Sequence, residues 1–215
     1  MEAQLFSNQF NNQSIMRDLL PKKDVLELLA QQQQFHDPLE RSLPQLVKLC
    51  SDFGKYLRLL PYDLATLEAG AYLHDIGNLF VDTSILQQSG RLNYAQWSAI
   101  RQHTIAGKRL LEDFASFQPI LEIVELHHER INGTGYPHSL EGAEIPYLVQ
   151  VFSICDCWHA LLSERSYRAA KTVEQALAAI KQEVSMNSID AALASTFFEF
   201  LTLSISAEIA KEDLC

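Results

Sequence analysis

Four imidazoles and two carboxylates lie in or beside apolar segments in the middle and later parts of the chain: His74-Asp75, His103, His127-His128 and Asp156. An unpartnered ring nitrogen or carboxylate is expensive to bury, so each needs a hydrogen-bond partner or a metal. Four separate segments that all carry such groups are best accommodated if the fold brings them to one buried metal site. Consecutive residues of a helix diverge in direction, so the adjacent pair in Ala71-Tyr72-Leu73-His74-Asp75-Ile76-Gly77 is expected to serve two neighbouring ions.

Taken alone, His103 reads more readily as a hydrogen-bonded core histidine than as a ligand. The pair His127-His128 is harder to explain that way. It is followed by Glu129 and then by Ile131-Asn132-Gly133-Thr134-Gly135-Tyr136-Pro137, which places two titratable rings where a helix gives way to a Gly-rich loop. Loops on a rigid scaffold are where function concentrates.

The 215 residues are 47% hydrophobic, enough for a full core, and the apolar spacing is helical throughout. Helices are expected over Leu43–Leu60, Tyr62–Ile76, Asn93–Phe114 as one or two pieces, Ile120–Glu129, Tyr147–Ser163, Thr172–Val184 and Ile189–Lys211. Phe197, Phe198, Phe200 and Leu201 read as core or subunit interface. Nothing alternates as strands do, so the expected class is all-α. Residues 1–37, rich in Gln and Asn, form a short N-terminal extension, with an apolar stripe at Val25, Leu26, Leu28 and Leu29 that could dock on the core or on another subunit; residues 38–215 form the helical domain.

A formal net charge of -10 argues against a general nucleic-acid surface. No apolar run reaches the about 18 residues of a membrane span, and no basic region precedes an apolar one at the start. Cys50, Cys155, Cys157 and Cys215 lack zinc-ribbon spacing and read as reduced thiols of a cytoplasmic protein.

In order and spacing the motifs resemble the HD-GYP branch of the HD-domain metal-dependent phosphohydrolases. The matching strings are His74-Asp75-Ile76-Gly77, Ile85-Leu86, Arg101-Gln102-His103, His127-His128-Glu129, Gly133-Thr134-Gly135-Tyr136-Pro137, Glu141-Gly142-Ala143-Glu144-Ile145-Pro146, Asp156 and Ser163-Glu164-Arg165-Ser166-Tyr167-Arg168. The resemblance implies a compact HD-domain helical bundle with a GYP loop that hydrolyses cyclic di-GMP to pGpG or GMP using two or three metal ions. It assigns His74, Asp75, His103, His127, His128 and Asp156 as ligands, with His74 and Asp75 at the catalytic centre and Asp75 bridging. Gly133, Gly135, Tyr136 and Pro137 would line the substrate groove. Arg165 and Arg168, three apart, could clasp phosphate oxygens or sit on a solvated helix end. The donor set suits two divalent ions, iron or manganese as well as zinc.

Departures from the family pattern cluster around the same centre. Asn78 stands where a Lys usually follows His-Asp-Ile-Gly, and Ser42 or a neighbour stands where an upstream His is usual; His36 is the sole upstream histidine. Asn132 replaces an acid before Gly-Thr-Gly-Tyr-Pro, Ser166 replaces a Pro, and His159 replaces a second acid after Asp156, as an added ligand or as a supporting or surface residue. Three functions are therefore consistent with the chain: a cyclic di-GMP phosphodiesterase, a catalytically silent domain that binds a nucleotide or a protein partner such as a GGDEF-type cyclase, and a hydrolase of another phosphate ester; a homodimer is compatible with each.

Overall fold

Small side chains let the helix that leads into His74 sit deep in the molecule. In α2, Pro61–Leu73, Ala65, Thr66, Leu67, Glu68, Ala69, Gly70, Ala71 and Leu73 are all buried. A helix apolar around its whole circumference belongs inside a core. Gly70 lets it approach the helix Leu121–Leu126, because a Cβ there would come within 2.6 Å of Ile123.

The computed structural model describes residues 43–88, 90–164 and 169–212. The expected N-terminal extension and its stripe, His36, Ser42, Arg165, Ser166, Tyr167, Arg168 and Cys215 lie outside the described residues. Among those described, the chain is all-α as expected, with one isolated β-bridge, Asn132 to Glu141. The α-helices are α1 (Leu43–Tyr56), α2, α3 (Thr83–Leu86), α4 (Tyr94–Arg101), α5 (His103–Leu111), α6 (Leu121–Leu126), α7 (Tyr147–Leu162), α8 (Val173–Ser185) and α9 (Ala191–Glu212). Short 3₁₀ turns occupy Ile76–Phe80, Ala115–Ile120 and Gly142–Glu144. No described helix is long and apolar enough to cross a membrane.

Two apolar clusters flank α2. On one side Leu67 and Ala71 join Leu46, Cys50 and Phe53 of α1, Phe152 and Cys155 of α7 and Phe197 of α9. Phe53 meets the edge of Phe197 at a centroid distance of 4.9 Å. On the other side Ala69 and Leu73 join Ile76, Leu111, Phe117, Ile120 and Val124. Among the described residues Cys50, Cys155 and Cys157 form no disulfide.

Helix ends differ from expectation for local reasons. The helix from Leu43 stops at Tyr56 because Arg58 turns left-handed at φ 56° and Leu59 donates back to the Gly54 carbonyl. Pro61 then begins α2, where its missing N–H costs nothing. The 93–114 stretch forms two helices that meet at Gln102, and Asn93 opens the first through a capping box with Gln96. The α2 helix ends at Leu73, three residues before the expected Ile76. His74 caps it, and Asp75 has already left helical geometry at φ -99°, ψ 11°.

Gly77 fixes that change of direction. Any Cβ on it would collide with the His103 carbonyl and crowd the Gly107 nitrogen, at 2.6 Å, so the 3₁₀ turn lies directly on the backbone of α5. Gly77→Ala should therefore cost at least ~2 kcal/mol, a Tm loss of about 4–8 °C. An unchanged melting curve would mean that this backbone contact does not set the junction.

Candidate metal centre

The helix-to-turn switch brings the Asp75 carboxylate back toward the His74 ring. His74 Nε2 lies 3.3 Å from Asp75 Oδ2. The expected divergence would hold on a continuous helix, but Asp75 stands outside α2 and its carboxylate swings back toward the ring. Its other oxygen, Oδ1, faces His103 Nε2 at 3.2 Å and His127 Nε2 at 3.7 Å. Asp156, from α7, reaches His74 Nε2 at 3.8 Å. One carboxylate thus stands between two donor groups, His103 with His127 on one side and His74 with Asp156 on the other.

The histidines are oriented by the helices that carry them. His74 Nδ1 lies 3.0 Å from the Ala71 carbonyl, His103 Nδ1 lies 2.6 Å from the Ile100 carbonyl, and His127 Nδ1 lies 3.1 Å from the Ile123 and Val124 carbonyls. A carbonyl oxygen can only accept, so each Nδ1 carries the hydrogen and each Nε2 presents its lone pair unless the ring is doubly protonated. This is how metal-ligating imidazoles are held. His103 Nε2 and His127 Nε2 stand 3.3 Å apart. Two lone pairs so placed, both in buried rings, require a proton or a cation between them.

Without metal, protons take that part. Burial disfavours the His74 cation, but Asp75 and Asp156 overcome it and raise its pKa to about 9. His103 is raised too, against its burial, through its contact with Asp75. Burial keeps His127 and His128 low, assisted by neighbouring charge: His74 and His103 for His127, His127 and His103 for His128. Asp75 is itself held well below the usual carboxylate range, because the surrounding histidines outweigh the effect of burial. Asp75, His103, His127 and His128 each offer a ligand atom within 4.8 Å of the others, so the cluster could hold a metal ion.

His128 connects this centre to the Gly-rich loop. Its ring lies 4.1 Å from that of His127 and 4.7 Å from that of Tyr136. The loop is pressed onto the preceding segment: Tyr136 N–H donates to the His128 carbonyl, and a Cβ at Gly135 would strike the backbone of Glu129 and Arg130. The Tyr136–Pro137 peptide is cis. Glu129, 2% exposed, accepts from the His138 N–H at 2.6 Å and the Leu140 N–H at 3.0 Å, so that one buried carboxylate ties down the far end of the loop. Asn132 suits its place better than an acid would. Its Oδ1 accepts from Thr134, while its Nδ2 donates to the Met186 carbonyl at 2.9 Å, a bond no carboxylate can make.

The six expected ligands thus meet, and Gly135, Tyr136 and Pro137 line a groove beside them. Gly133 stands at φ 73°, the positive value its turn requires, away from that lining. Asn78 lies half-buried in the turn after Asp75. His159 Nε2 lies near Ser163 Oγ, at 3.4 Å, at the end of α7. Sequence reasoning gave no role to Glu129, to Arg101, or to Glu125, which joins Lys108 at 2.6 Å and His138 at 3.1 Å. Only Glu129 had a local cue, its place between the histidine pair and the loop.

Residues 23–193 match the family described as HD domain. The chain is 34% identical over 131 residues to the 3'3'-cGAMP-specific phosphodiesterase 3 of Vibrio cholerae, covering 61% of this chain and 28% of that protein. It is 31% identical over 163 residues to a cyclic di-GMP phosphodiesterase of Thermotoga maritima, covering 74% and 44%. The chain therefore spans less than half the length of these curated relatives. Among solved structures, Bd1817, a HDG"Y"P protein from Bdellovibrio bacteriovorus, superposes with a TM-score of 0.59 at 20% identity over 73% of this chain and 50% of that one. The HD domain of the L. monocytogenes phosphodiesterase PgpH in complex with cyclic-di-AMP gives 0.60 at 14% identity over 84% and 96%. At such identities the likeness is one of fold.

The protonation pattern gives the metal-free protein a signature. With a folded pKa of about 9 against an ordinary 6.5, His74 contributes stability that is complete below about 6.5 and is lost as pH rises through about 9. His127 and His128, whose pKa values are lowered, stay neutral in the folded state across that window; unfolded they are protonated only near its lower edge, so above about pH 7.5 they no longer change the stability. Bound metal needs neutral imidazoles at the same atoms and so gains with pH. The Tm difference between manganese-loaded and chelator-treated protein should therefore grow from pH 6.5 to 9. A constant difference would place the metal elsewhere.

Proposed function

The chain belongs to the HD-domain family, and from that membership we propose that it is a metal-dependent phosphodiesterase that opens a cyclic dinucleotide, cyclic di-GMP foremost, to the linear dinucleotide or the mononucleotide. The observation that carries this reading is the divided Asp75 carboxylate, with Oδ1 toward His103 and His127 and Oδ2 toward His74, itself beside Asp156. A carboxylate so placed is suited to bridging two divalent ions, for which iron and manganese fit the imidazole and carboxylate donors. His103, His127 and His128 would hold one ion, and His74 and Asp156 the other. Cations held there would supply Lewis acidity and a water acidic enough to attack phosphorus near neutral pH.

The protein's own groups position and neutralise. Asp75 fixes the spacing of the two donor groups, and the Nδ1 bonds to helix carbonyls keep the rings from turning away. Tyr136 stays protonated because burial and the Asp75 charge push its phenol up, which leaves an O–H to donate to a phosphate oxygen at the mouth of the groove. Gly135 and Pro137 shape the wall beside it. In the reaction the water oxygen bonds to phosphorus, and the ribose 3'-oxygen leaves and takes up a proton.

Elemental analysis of anaerobically purified protein should find two ions per chain, with pGpG or GMP appearing from cyclic di-GMP in iron(II) or manganese(II). Asp75→Ala should strip the metal and reduce turnover by more than the roughly 10–100-fold that loss of an outer ligand-supporting group costs. Undiminished turnover in that variant would refute the site. One ion or none, with no product, would leave a binding domain in place of an enzyme.

A further inference from the structure

A groove of about 450 Å³ opens between α4 and the Gly-Tyr-Pro loop. That volume lies in the range of small-molecule sites. Among its lining side chains one alone is charged, Arg101, and its α4 wall is aromatic, with Tyr94 and Trp97. Tyr94 is 90% exposed and Trp97 47% exposed. Large aromatic surfaces left open beside a cavity mark a place where a flat apolar partner is received.

Arg101 links this groove to the cluster. Its guanidinium lies 5.0 Å over the Tyr136 ring, and Tyr136 in turn lies 4.7 Å from His128. Arg101 forms no ion pair among the described residues, although the chain carries 27 acidic residues against 17 basic ones. The neighbouring Arg130 differs, for its Nη1 is occupied by the His127 and Glu129 carbonyls. Lys108, seven residues after Arg101, is paired with Glu125. A guanidinium held flat over a ring by cation–π contact keeps its N–H edges free, and that fork matches two phosphate oxygens.

We propose that the groove is a purine-nucleotide subsite, in which Arg101 clasps the phosphate of the substrate that is not being cleaved and Trp97, with Tyr94, stacks the base beyond it. This rests on the phosphodiesterase reading. A cyclic dinucleotide carries two phosphates and two bases, so with one phosphate at the cluster the other phosphate and a base must lie to one side. The groove supplies one cation and an aromatic wall on that side. Asn78, in the turn after Asp75, brings no charge of its own. Arg101 is on this view a substrate-binding residue, and its effect belongs to affinity more than to the chemical step.

The two tryptophans make this measurable, because Trp158 is in the core at 5% exposure and Trp97 stands at the groove. Rapid mixing of the manganese-loaded full chain with cyclic di-GMP should quench the emission of Trp97, and Trp97→Phe should remove the quench. Arg101→Ala should raise KM and the dissociation constant about tenfold or more, with the larger part of the loss in KM rather than kcat, and Trp97→Ala should do so by a similar factor. Arg101→Lys should recover only part of the affinity, since an ammonium cannot make the forked contact. Metal content and circular dichroism, unaltered in these exposed variants, separate lost binding from lost folding. Unchanged dissociation constants and KM in both alanine variants, in a protein that still turns over cyclic di-GMP, would overturn the subsite and leave the phosphodiesterase standing. Failure of the unsubstituted chain either to bind or to cleave would overturn both.

Discussion

Two buried imidazole nitrogens that face each other at 3.3 Å, with their other nitrogens committed to helix carbonyls, set the terms for everything around them. Lone pairs in that position repel unless something positive stands between them. In the absence of metal the fold answers with protons, which the Asp75 carboxylate holds on His74 and His103 above their ordinary range. A divalent cation satisfies the same demand with greater charge and without the proton. The cluster is therefore a preformed electrostatic sink, and its chemistry follows from where the donors point more than from which donors they are.

Holding that arrangement is the task of α2 and its neighbours. Because α2 is buried around its circumference by two separate apolar clusters, its C-terminal end cannot shift without disturbing both. Gly77 then lets the backbone turn directly onto α5, which starts with His103, so the spacing between His74, Asp75 and His103 is set by backbone contact and not by flexible side chains. The far side is fixed similarly. Glu129 gathers the loop's N–H groups, and Ser153 of α7 donates to the His127 carbonyl at 2.8 Å, tying the helix that carries Asp156 to the histidine pair. A buried charge such as Glu129 is costly by itself, and it is tolerated because its two acceptor positions are filled.

Much of this was legible in the residues. Polar groups embedded in apolar runs announced a shared centre, and helical spacing announced the class, because both follow from the cost of burial alone. What the sequence could not disclose was direction. His74 and Asp75 read as divergent neighbours on one helix, and only the early end of α2 turns them toward each other. Arg101 was visible only as part of a matching string and Trp97 only as part of the 93–114 helical stretch, since nothing local tells that the loop starting about thirty residues after Arg101 folds back to form a groove with them. Asn132 read as a departure from pattern, whereas its amide is satisfied on both sides, by Thr134 and by Met186.

The most direct test of the paired-ion arrangement is X-ray absorption spectroscopy of the protein loaded with manganese or iron. Imidazole nitrogens and carboxylate oxygens near 2.0–2.2 Å, together with a metal–metal vector at about 3.5–4 Å, are the expected result. A nitrogen-rich shell around a single ion with no metal–metal scattering, at saturating metal, would contradict a bridging Asp75.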